Sequence, residues 1–167
     1  AKTRVLQALA AAGEQVLDLE GLAGHRGSVL GAVPGVSQPA QKGFETQLMT
    51  ALAGFDLTRR VWVEAESRRI GRITVPEPLM QRLRASPVVE LVATREARLD
   101  YLLRDYAWLG DDPEALRRKL GGLQGLLPND VLAQWQTWAQ ARELEPLFAA
   151  LMAEHYDPLY QRSQGRH

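Results

Sequence analysis

The chain has 167 residues, 46% of them hydrophobic and 24% charged, a composition typical of one globular domain that is large enough to bury a core. Twenty basic residues balance 20 acidic ones, so no net field attracts nucleic acid, and no apolar run approaches the roughly 18 residues of a membrane span. The absence of cysteine excludes disulfides and cysteine nucleophiles, and the absence of a signal-peptide pattern makes the cytoplasm the expected location.

Apolar spacing in the first half of the chain alternates between helix and strand. A short apolar segment at Gln15 opens into a glycine-rich loop, and another at Val61 ends in carboxylates. Helices are predicted over 3–12, 44–52 and a short stretch begun by Pro76 and Pro78, and strands over 15–19, 61–66 and 88–93. Strands that alternate with helices at this spacing favour βαβ units and a parallel sheet.

The second half of the sequence has helical patterns only. Helices are predicted over 95–108, 113–120, 130–143 and 145–161, with Asp112 as an N-cap and Pro113 at the first helical position. Pro158 is expected to break or kink the last helix. We therefore divide the chain into an α/β core, residues 1–94, and a helical region packed on it, residues 95–167.

The dipeptide Lys2-Thr3 directly precedes the first helix. A phosphate-binding loop reads G-x-x-x-x-G-K-[ST], and Lys2 and Thr3 match its last two positions, where the hydroxyl holds Mg²⁺. This signal is weak by itself, and an exposed helix start that Thr3 helps to cap is the alternative. With such a loop, the expected fold is an α/β, P-loop NTPase-like parallel sheet that lacks its first strand, followed by a C-terminal helical subdomain, and the chain is a piece of a longer one.

Polar side chains follow both predicted strands of the first half. His25, Arg26 and Ser28 lie on the glycine-rich loop at the carboxyl end of the first strand, where open α/β sheets bind ligands. Arg26 suits a phosphate or diphosphate, and His25 suits proton transfer near neutral pH. A solvated surface loop is the alternative.

Glu64 and Glu66 end the strand at Val61, on one face of the pleat. Acids at that place in P-loop proteins bind Mg²⁺ or align an attacking group. Surface ion pairs with Arg68 and Arg69 are the alternative.

Two further groups of residues lie in the second half. Arg95 and Arg98 are three apart on one helix face and suit phosphate contacts, with a solvated face as the alternative. His155 and Tyr156 lie near Pro158 and suit a base-stacking platform, with a packed helix end as the alternative.

Several of these strings together resemble one family, the tRNA 2-selenouridine synthases. The resemblance covers nearly the whole chain and rests on QVLDLEGLAGHRGSVLG, GFETQL, VWVEAESRRIGRITVPEPL, VVELVATREARLDYLLRDY and AEHYDPLYQRS in this order. It identifies the chain as similar to the C-terminal P-loop domain of these enzymes, with Ala1 where the phosphate loop usually has glycine.

The resemblance implies a transferase that replaces sulfur by selenium in the wobble 2-thiouridine of tRNA. It implies selenophosphate and geranyl diphosphate as substrates, an S-geranylated intermediate, and tRNA and a rhodanese domain of the same polypeptide as partners. The roles it implies are catalysis by His25, Arg26, Glu64 and Glu66, phosphate binding by Lys2, Thr3, Arg26 and Ser28, Mg²⁺ binding by Thr3 and Glu64, and tRNA or substrate contacts by Arg69, Arg95, Arg98, His155 and Tyr156.

Two other functions stay open at this point. One is a small-molecule P-loop kinase, in which the same residues serve ATP and a hydroxyl acceptor. The other is a non-catalytic tRNA-binding module.

Overall fold

The computed structural model describes residues 2–28, 30–33 and 35–164, without the side chains of 162–164. Ala1, which stands at the expected glycine position, lies outside the described residues. The chain divides into two compact units, Ala1–Val89 and Glu90–His167, whereas the boundary expected from the sequence lies at residue 94.

The first unit is an α/β structure built on a small parallel sheet. Its elements are α1 (Lys2–Ala11), β1 (Gln15–Leu17), α2 (Leu19–Ala23), α3 (Gln41–Ala53), β2 (Val61–Val63), β3 (Arg69–Ile70), β4 (Ile73–Thr74) and α4 (Glu77–Arg84). Strands β1 and β2 pair in parallel, with Val16 opposite Trp62, and β3 and β4 form an antiparallel hairpin. The predicted α/β class, parallel pairing and helices of this half are confirmed.

The two faces of the parallel sheet differ in what covers them. Leu17 belongs to the buried core, together with Phe44 and Leu48 of α3, and Val63, which lies opposite Leu17, is partly buried against it. Val16 and Trp62 point to the other face, because side chains alternate along a strand. The indole nitrogen of Trp62 donates to Glu14 Oε2 at 3.2 Å on that face.

Two predictions for this half are wrong in detail, and one element was not predicted. Residues 88–93 form no strand, and Val88, Val89, Leu91 and Val92 are exposed, because a strand needs a hydrogen-bonded neighbour and none lies beside them in the described chain. The loop expected after residue 19 begins with α2. The β3–β4 hairpin was not predicted, because its two-residue strands are too short to show a period of two.

Gln38 joins the end of α2 to the β3–β4 hairpin. Its side-chain nitrogen donates to Ala23 O at 3.0 Å and to Ile70 O at 2.9 Å, and its Oε1 accepts from the Arg72 N–H at 2.9 Å. One amide therefore satisfies three backbone groups of two separate segments, a contact that no local pattern in the sequence predicts.

The second unit is helical, as predicted. Its elements are α5 (Arg95–Asp105), a 3₁₀ turn (Ala107–Gly110), α6 (Pro113–Gly121), α7 (Asn129–Ala141), α8 (Leu144–Ala150), a π-helical turn (Leu151–Tyr156) and α9 (Asp157–Gln164). Asp112 caps α6 by accepting from Ala115 N–H at 2.9 Å, which confirms the predicted cap. Trp135 of α7 is buried among these helices.

Of the break or kink predicted at Pro158, the break does not occur, because the backbone stays helical on both sides of the proline. The turn that precedes it is π-helical, and the Asp157 N–H donates to Met152 O, five residues back. A proline ring in a regular α-helix clashes with the carbonyl four residues earlier. The wider turn accommodates the ring, since it shifts the hydrogen-bonding partners by one residue.

The helices of the described residues are all too short or too polar to cross a bilayer.

The Gln38→Ala substitution is expected to lower the free energy of unfolding by about 1–3 kcal/mol, because it leaves three backbone groups without their partner. Urea unfolding of this variant and of Gln47→Ala, at an exposed position on α3, measures the difference. Equal unfolding free energies for the two variants would show that the Gln38 amide does not hold the hairpin.

Candidate functional site

The start of α1 is tied to the segment that follows β2. The Lys2 ammonium donates to a carboxylate oxygen of Glu66 and, at 3.0 Å, to Ala65 O. The side chain of Glu66 is only 7% exposed and that of Lys2 34% exposed. A buried carboxylate needs a cationic or hydrogen-bonded partner, and Lys2 is the partner of Glu66.

A second contact joins α1 to the end of β1. The Thr3 hydroxyl donates to Glu20 Oε2 at 3.0 Å. Asp18 caps α2 by accepting from Gly21 N–H at 2.7 Å, which fixes the first turn of the helix and the direction in which Glu20 leaves it. Thr3 thus contacts Glu20, which follows β1, and Lys2 contacts Glu66, which follows β2.

Glu20 is a site residue that the sequence analysis did not select. Its signal was present, because Glu20 follows β1 as Glu64 follows β2, and the carboxyl ends of parallel neighbours meet at one edge of a sheet. The sequence could not show that Asp18 caps the helix while Glu20 turns toward Thr3.

Glu64 lies deepest in the site, with 4% of its surface exposed. Its Oε1 accepts from the Glu20 N–H at 2.8 Å, and its buried Oε2 has no hydrogen-bond partner among the described residues. Burial raises the pKa of Glu64 from 4.5 to about 7, against the lowering effect of the Glu20 N–H. We call Glu20, Glu64 and Glu66 the carboxylate cluster.

Glu20 has a perturbed pKa as well. Burial and the neighbouring charge of Glu66 raise its pKa from 4.5 to about 7, while the Thr3 hydroxyl and the Lys2 ammonium act in the opposite direction. Two carboxyl groups with pKa values near neutrality next to an ammonium are typical of sites that bind ligands or transfer protons.

The glycine-rich loop closes over the carboxylate cluster at Gly27. A Cβ atom at this position would lie 2.7 Å from Glu66 Oε2 and 3.2 Å from Glu20 Oε1, and Gly27 has a φ of +68°. The Gly27 N–H donates to His25 Nδ1 at 3.1 Å. The loop backbone therefore approaches the cluster closely, which only glycine allows here.

Arg26 and Ser28 flank Gly27 on both sides. The Arg26 N–H donates to Gly31 O, and the Gly31 N–H donates to Ser28 O, each at 2.8 Å. These bonds form a tight backbone turn that carries both predicted phosphate-binding residues next to the cluster.

The surface ion pairs proposed as an alternative for Glu64 and Glu66 are not formed. Glu66 binds Lys2, and Arg68 instead pairs with Glu77 at 3.5 Å. Arg69 is exposed on β3, and no hydrogen bond or ion pair joins it to the carboxylate cluster in the described chain.

In the second unit Arg98 contacts Asp157, the residue that follows His155 and Tyr156 in the chain. The Arg98 guanidinium makes a bidentate ion pair with Asp157, with one contact of 3.2 Å between Nη1 and Oδ2. The rings of His155 and Tyr156 lie edge to face at 4.9 Å, and burial lowers the pKa of His155. Arg98 is thus half-buried and paired, whereas Arg95, at the first position of α5, is exposed.

Between about pH 4.5 and pH 7, the folded chain binds more protons than the unfolded chain at Glu64. The free energy of unfolding is therefore expected to fall as the pH rises through this range, by at most about 3 kcal/mol for this group. Glu64→Gln removes this contribution and flattens the profile, whereas Glu45→Gln, at an exposed position of α3, leaves it unchanged. Urea unfolding at pH 5, 6, 7 and 8 with a chelator present measures the slopes, and an unaltered slope in Glu64→Gln would contradict the expectation.

A family model described as the AAA domain of tRNA 2-selenouridine synthase matches residues 1–110, which include the whole of this site. AAA domains have a P-loop NTPase-like fold, so the match agrees with the predicted fold class at this coarse level. No solved structure has a significant match to the chain.

Several proteins named tRNA 2-selenouridine synthase are similar to most of the chain. The tRNA 2-selenouridine synthase of Alcanivorax borkumensis is 32% identical over 99% of this chain and 52% of its own length. That of Cupriavidus necator is 34% identical over 98% of this chain and 51% of its own length, and that of Cupriavidus pinatubonensis is 45% identical over 63% of this chain and 28% of its own length. The chain spans about half the length of the first two relatives. The match of the family model to residues 1–110 and the identities of 32% and 34% over nearly the whole chain show that the chain belongs to the tRNA 2-selenouridine synthase family.

Proposed function

We propose that this chain is the diphosphate-binding part of a cytoplasmic enzyme that replaces sulfur by selenium in the wobble 2-thiouridine of tRNA. In this proposal the reaction passes through an S-geranylated intermediate made from geranyl diphosphate, and selenophosphate supplies the selenium. The complete transferase also contains a rhodanese domain, and tRNA is its macromolecular substrate.

One observation carries the proposal: the side chains of Lys2 and Thr3, which are adjacent in the chain, contact carboxylates that follow the two parallel strands. Lys2 contacts Glu66, Thr3 contacts Glu20, and the loop of Arg26 closes over both carboxylates through Gly27. Two segments that carry the family resemblance, 15–31 and 61–79, thus converge on one ammonium and one hydroxyl, which are the donors that a phosphate or diphosphate group needs.

In the proposed prenyl transfer, this site stabilises the departing diphosphate. The thiouridine sulfur forms a bond to the prenyl carbon while the bond from that carbon to the diphosphate oxygen breaks, and the diphosphate leaves with the electron pair. Lys2 and Arg26 stabilise the charge that develops on that oxygen, with Thr3 and Ser28 as hydrogen-bond donors. His25 and the carboxylate cluster are the groups available for proton transfer, since Glu20 and Glu64 have pKa values of about 7.

The oxygen donors of the site fit Mg²⁺. No group of three or more acidic or histidine side chains in the described residues is arranged to hold a metal ion by itself. Mg²⁺ needs fewer protein ligands, because it binds through one or two carboxylates together with substrate phosphates and water. The Thr3 hydroxyl and the buried, unpartnered Oε2 of Glu64 are the proposed ligands, and the ion would neutralise charge on the diphosphate.

We assign the tRNA contacts to Arg69 and to residues of the second unit. Arg69 and Arg95 are exposed and suit phosphate groups. Arg98 acts through its ion pair with Asp157, which holds the turn that carries His155 and Tyr156. The rings of these two residues suit stacking with a base.

The full-length protein is the material for the test of this function. It is incubated with 2-thiouridine-containing tRNA and geranyl diphosphate, with and without selenophosphate, and the nucleosides are analysed by mass spectrometry. We expect geranylthiouridine, and selenouridine when selenophosphate is added, with the rate of geranylation reduced about 100-fold or more by Lys2→Ala and by Arg26→Ala. Lys42→Ala, at an exposed position of α3, is the matched control and keeps the full rate.

The other two functions give different outcomes in the same experiment. Phosphoryl transfer from ATP without tRNA, and neither modified nucleoside, would support the small-molecule kinase. Salt-sensitive tRNA binding that Lys2→Ala and geranyl diphosphate leave unchanged, without any product, would support the non-catalytic module.

A further inference from the structure

The donors that a diphosphate would use are already bound to anions of the chain itself. Glu66 occupies the Lys2 ammonium, and Glu20 occupies the Thr3 hydroxyl. A diphosphate that accepts the Thr3 proton must replace Glu20, because a hydroxyl donates one hydrogen bond, and at Lys2 it competes with Glu66 for the ammonium. Ligand binding at this site is therefore an exchange of one anion for another.

The surroundings of the two carboxylates make this exchange unfavourable for an anion alone. Three carboxylates of the cluster lie close to the Lys2 ammonium, and the charge of Asp18 also acts on Glu64. The Gly27 backbone borders both carboxylates, because a Cβ atom there would lie 2.7 Å from Glu66 Oε2 and 3.2 Å from Glu20 Oε1. A free diphosphate would add negative charge next to carboxylates that have just lost their partners.

A divalent cation removes this obstacle. It compensates the carboxylates that are released from Lys2 and Thr3 and part of the charge of the diphosphate. The Oε2 atom of Glu64 supports this requirement independently, because it is an acceptor in the buried part of the cluster that no described group satisfies. An incoming cation supplies the partner that this oxygen lacks.

We propose that Glu20 and Glu66 are specificity-determining residues, which exclude free phosphate and diphosphate from Lys2 and Thr3 and admit a diphosphate only together with a divalent cation. The proposal rests on the proposed function, since it concerns the same diphosphate site. It assigns the two carboxylates a further role, which is to compete with the ligand for Lys2 and Thr3 in the metal-free protein.

The test measures binding of inorganic pyrophosphate to the full-length protein by isothermal titration calorimetry at pH 8, once with EDTA and once with Mg²⁺. The unmodified protein is expected to bind pyrophosphate at least about 10-fold more tightly with Mg²⁺ than with EDTA. In Glu20→Gln, Glu66→Gln and the double variant, the affinity for metal-free pyrophosphate rises, by at least about 10-fold in the double variant, because a neutral amide no longer repels the anion. Glu45→Gln is the control and keeps the preference of the unmodified protein.

Two results would overturn this inference. One is equal affinity of the unmodified protein for pyrophosphate with and without Mg²⁺, a measurement that depends on no variant. The other is unchanged or weaker binding of metal-free pyrophosphate by the glutamine variants. Thermal unfolding identifies any variant that does not fold, and Glu20→Gln, which keeps the pair between Lys2 and Glu66, then provides the comparison.

Failure of this inference is distinguishable from failure of the proposed function. If Mg²⁺-pyrophosphate binds, and Lys2→Ala abolishes binding while the glutamine variants change nothing, the diphosphate site stands and the role of Glu20 and Glu66 is wrong. If pyrophosphate binds in neither condition, both proposals fail.

Discussion

The ion pair between Lys2 and Glu66 is the interaction on which the first unit depends. It joins residues 64 positions apart and ties the first turn of α1 to the carboxyl end of β2. Both partners lie largely out of solvent, so either one alone would leave a charge that water compensates poorly. The pair thereby fixes where α1 begins relative to the sheet and brings Thr3 within reach of Glu20.

The other parts of the site follow from the parallel pairing of β1 and β2. Parallel neighbours end at the same edge of a sheet, so the acids that follow the two strands converge there. Convergence of three carboxylates is unfavourable by itself, and the fold compensates it with the Lys2 ammonium, the Thr3 hydroxyl and the Glu20 N–H. The compensation is incomplete at Glu64 Oε2, and such incomplete satisfaction is typical of a place that receives a ligand.

In the second unit, an ion pair likewise joins two segments that are distant in the chain, here two helices. A bidentate pair between Arg98 and Asp157 connects α5 to the start of α9. The π-helical turn directly before Asp157 shifts the hydrogen-bonding partners by one residue, and this shift both accommodates Pro158 and sets the direction of His155 and Tyr156. π-Helical turns inside helices occur frequently at functional sites, and this one carries the residues that the sequence analysis selected for base stacking.

The sequence by itself determined most of the helices, the Asp112 cap and the loops that carry His25, Arg26, Glu64 and Glu66, because these depend on spacing and chemistry within a few residues. The parallel pairing was indicated by the order of strands and helices along the first half. Which groups these side chains and strands contact was decided by the tertiary structure. Local pattern could not show that Glu66 binds Lys2, that Glu20 turns inward, or that 88–93 has no neighbour to pair with. A strand needs a hydrogen-bonded neighbour and a buried charge needs a partner, and both come from residues distant in the chain. Whether a strand or a buried ion pair forms therefore depends on how the whole chain folds.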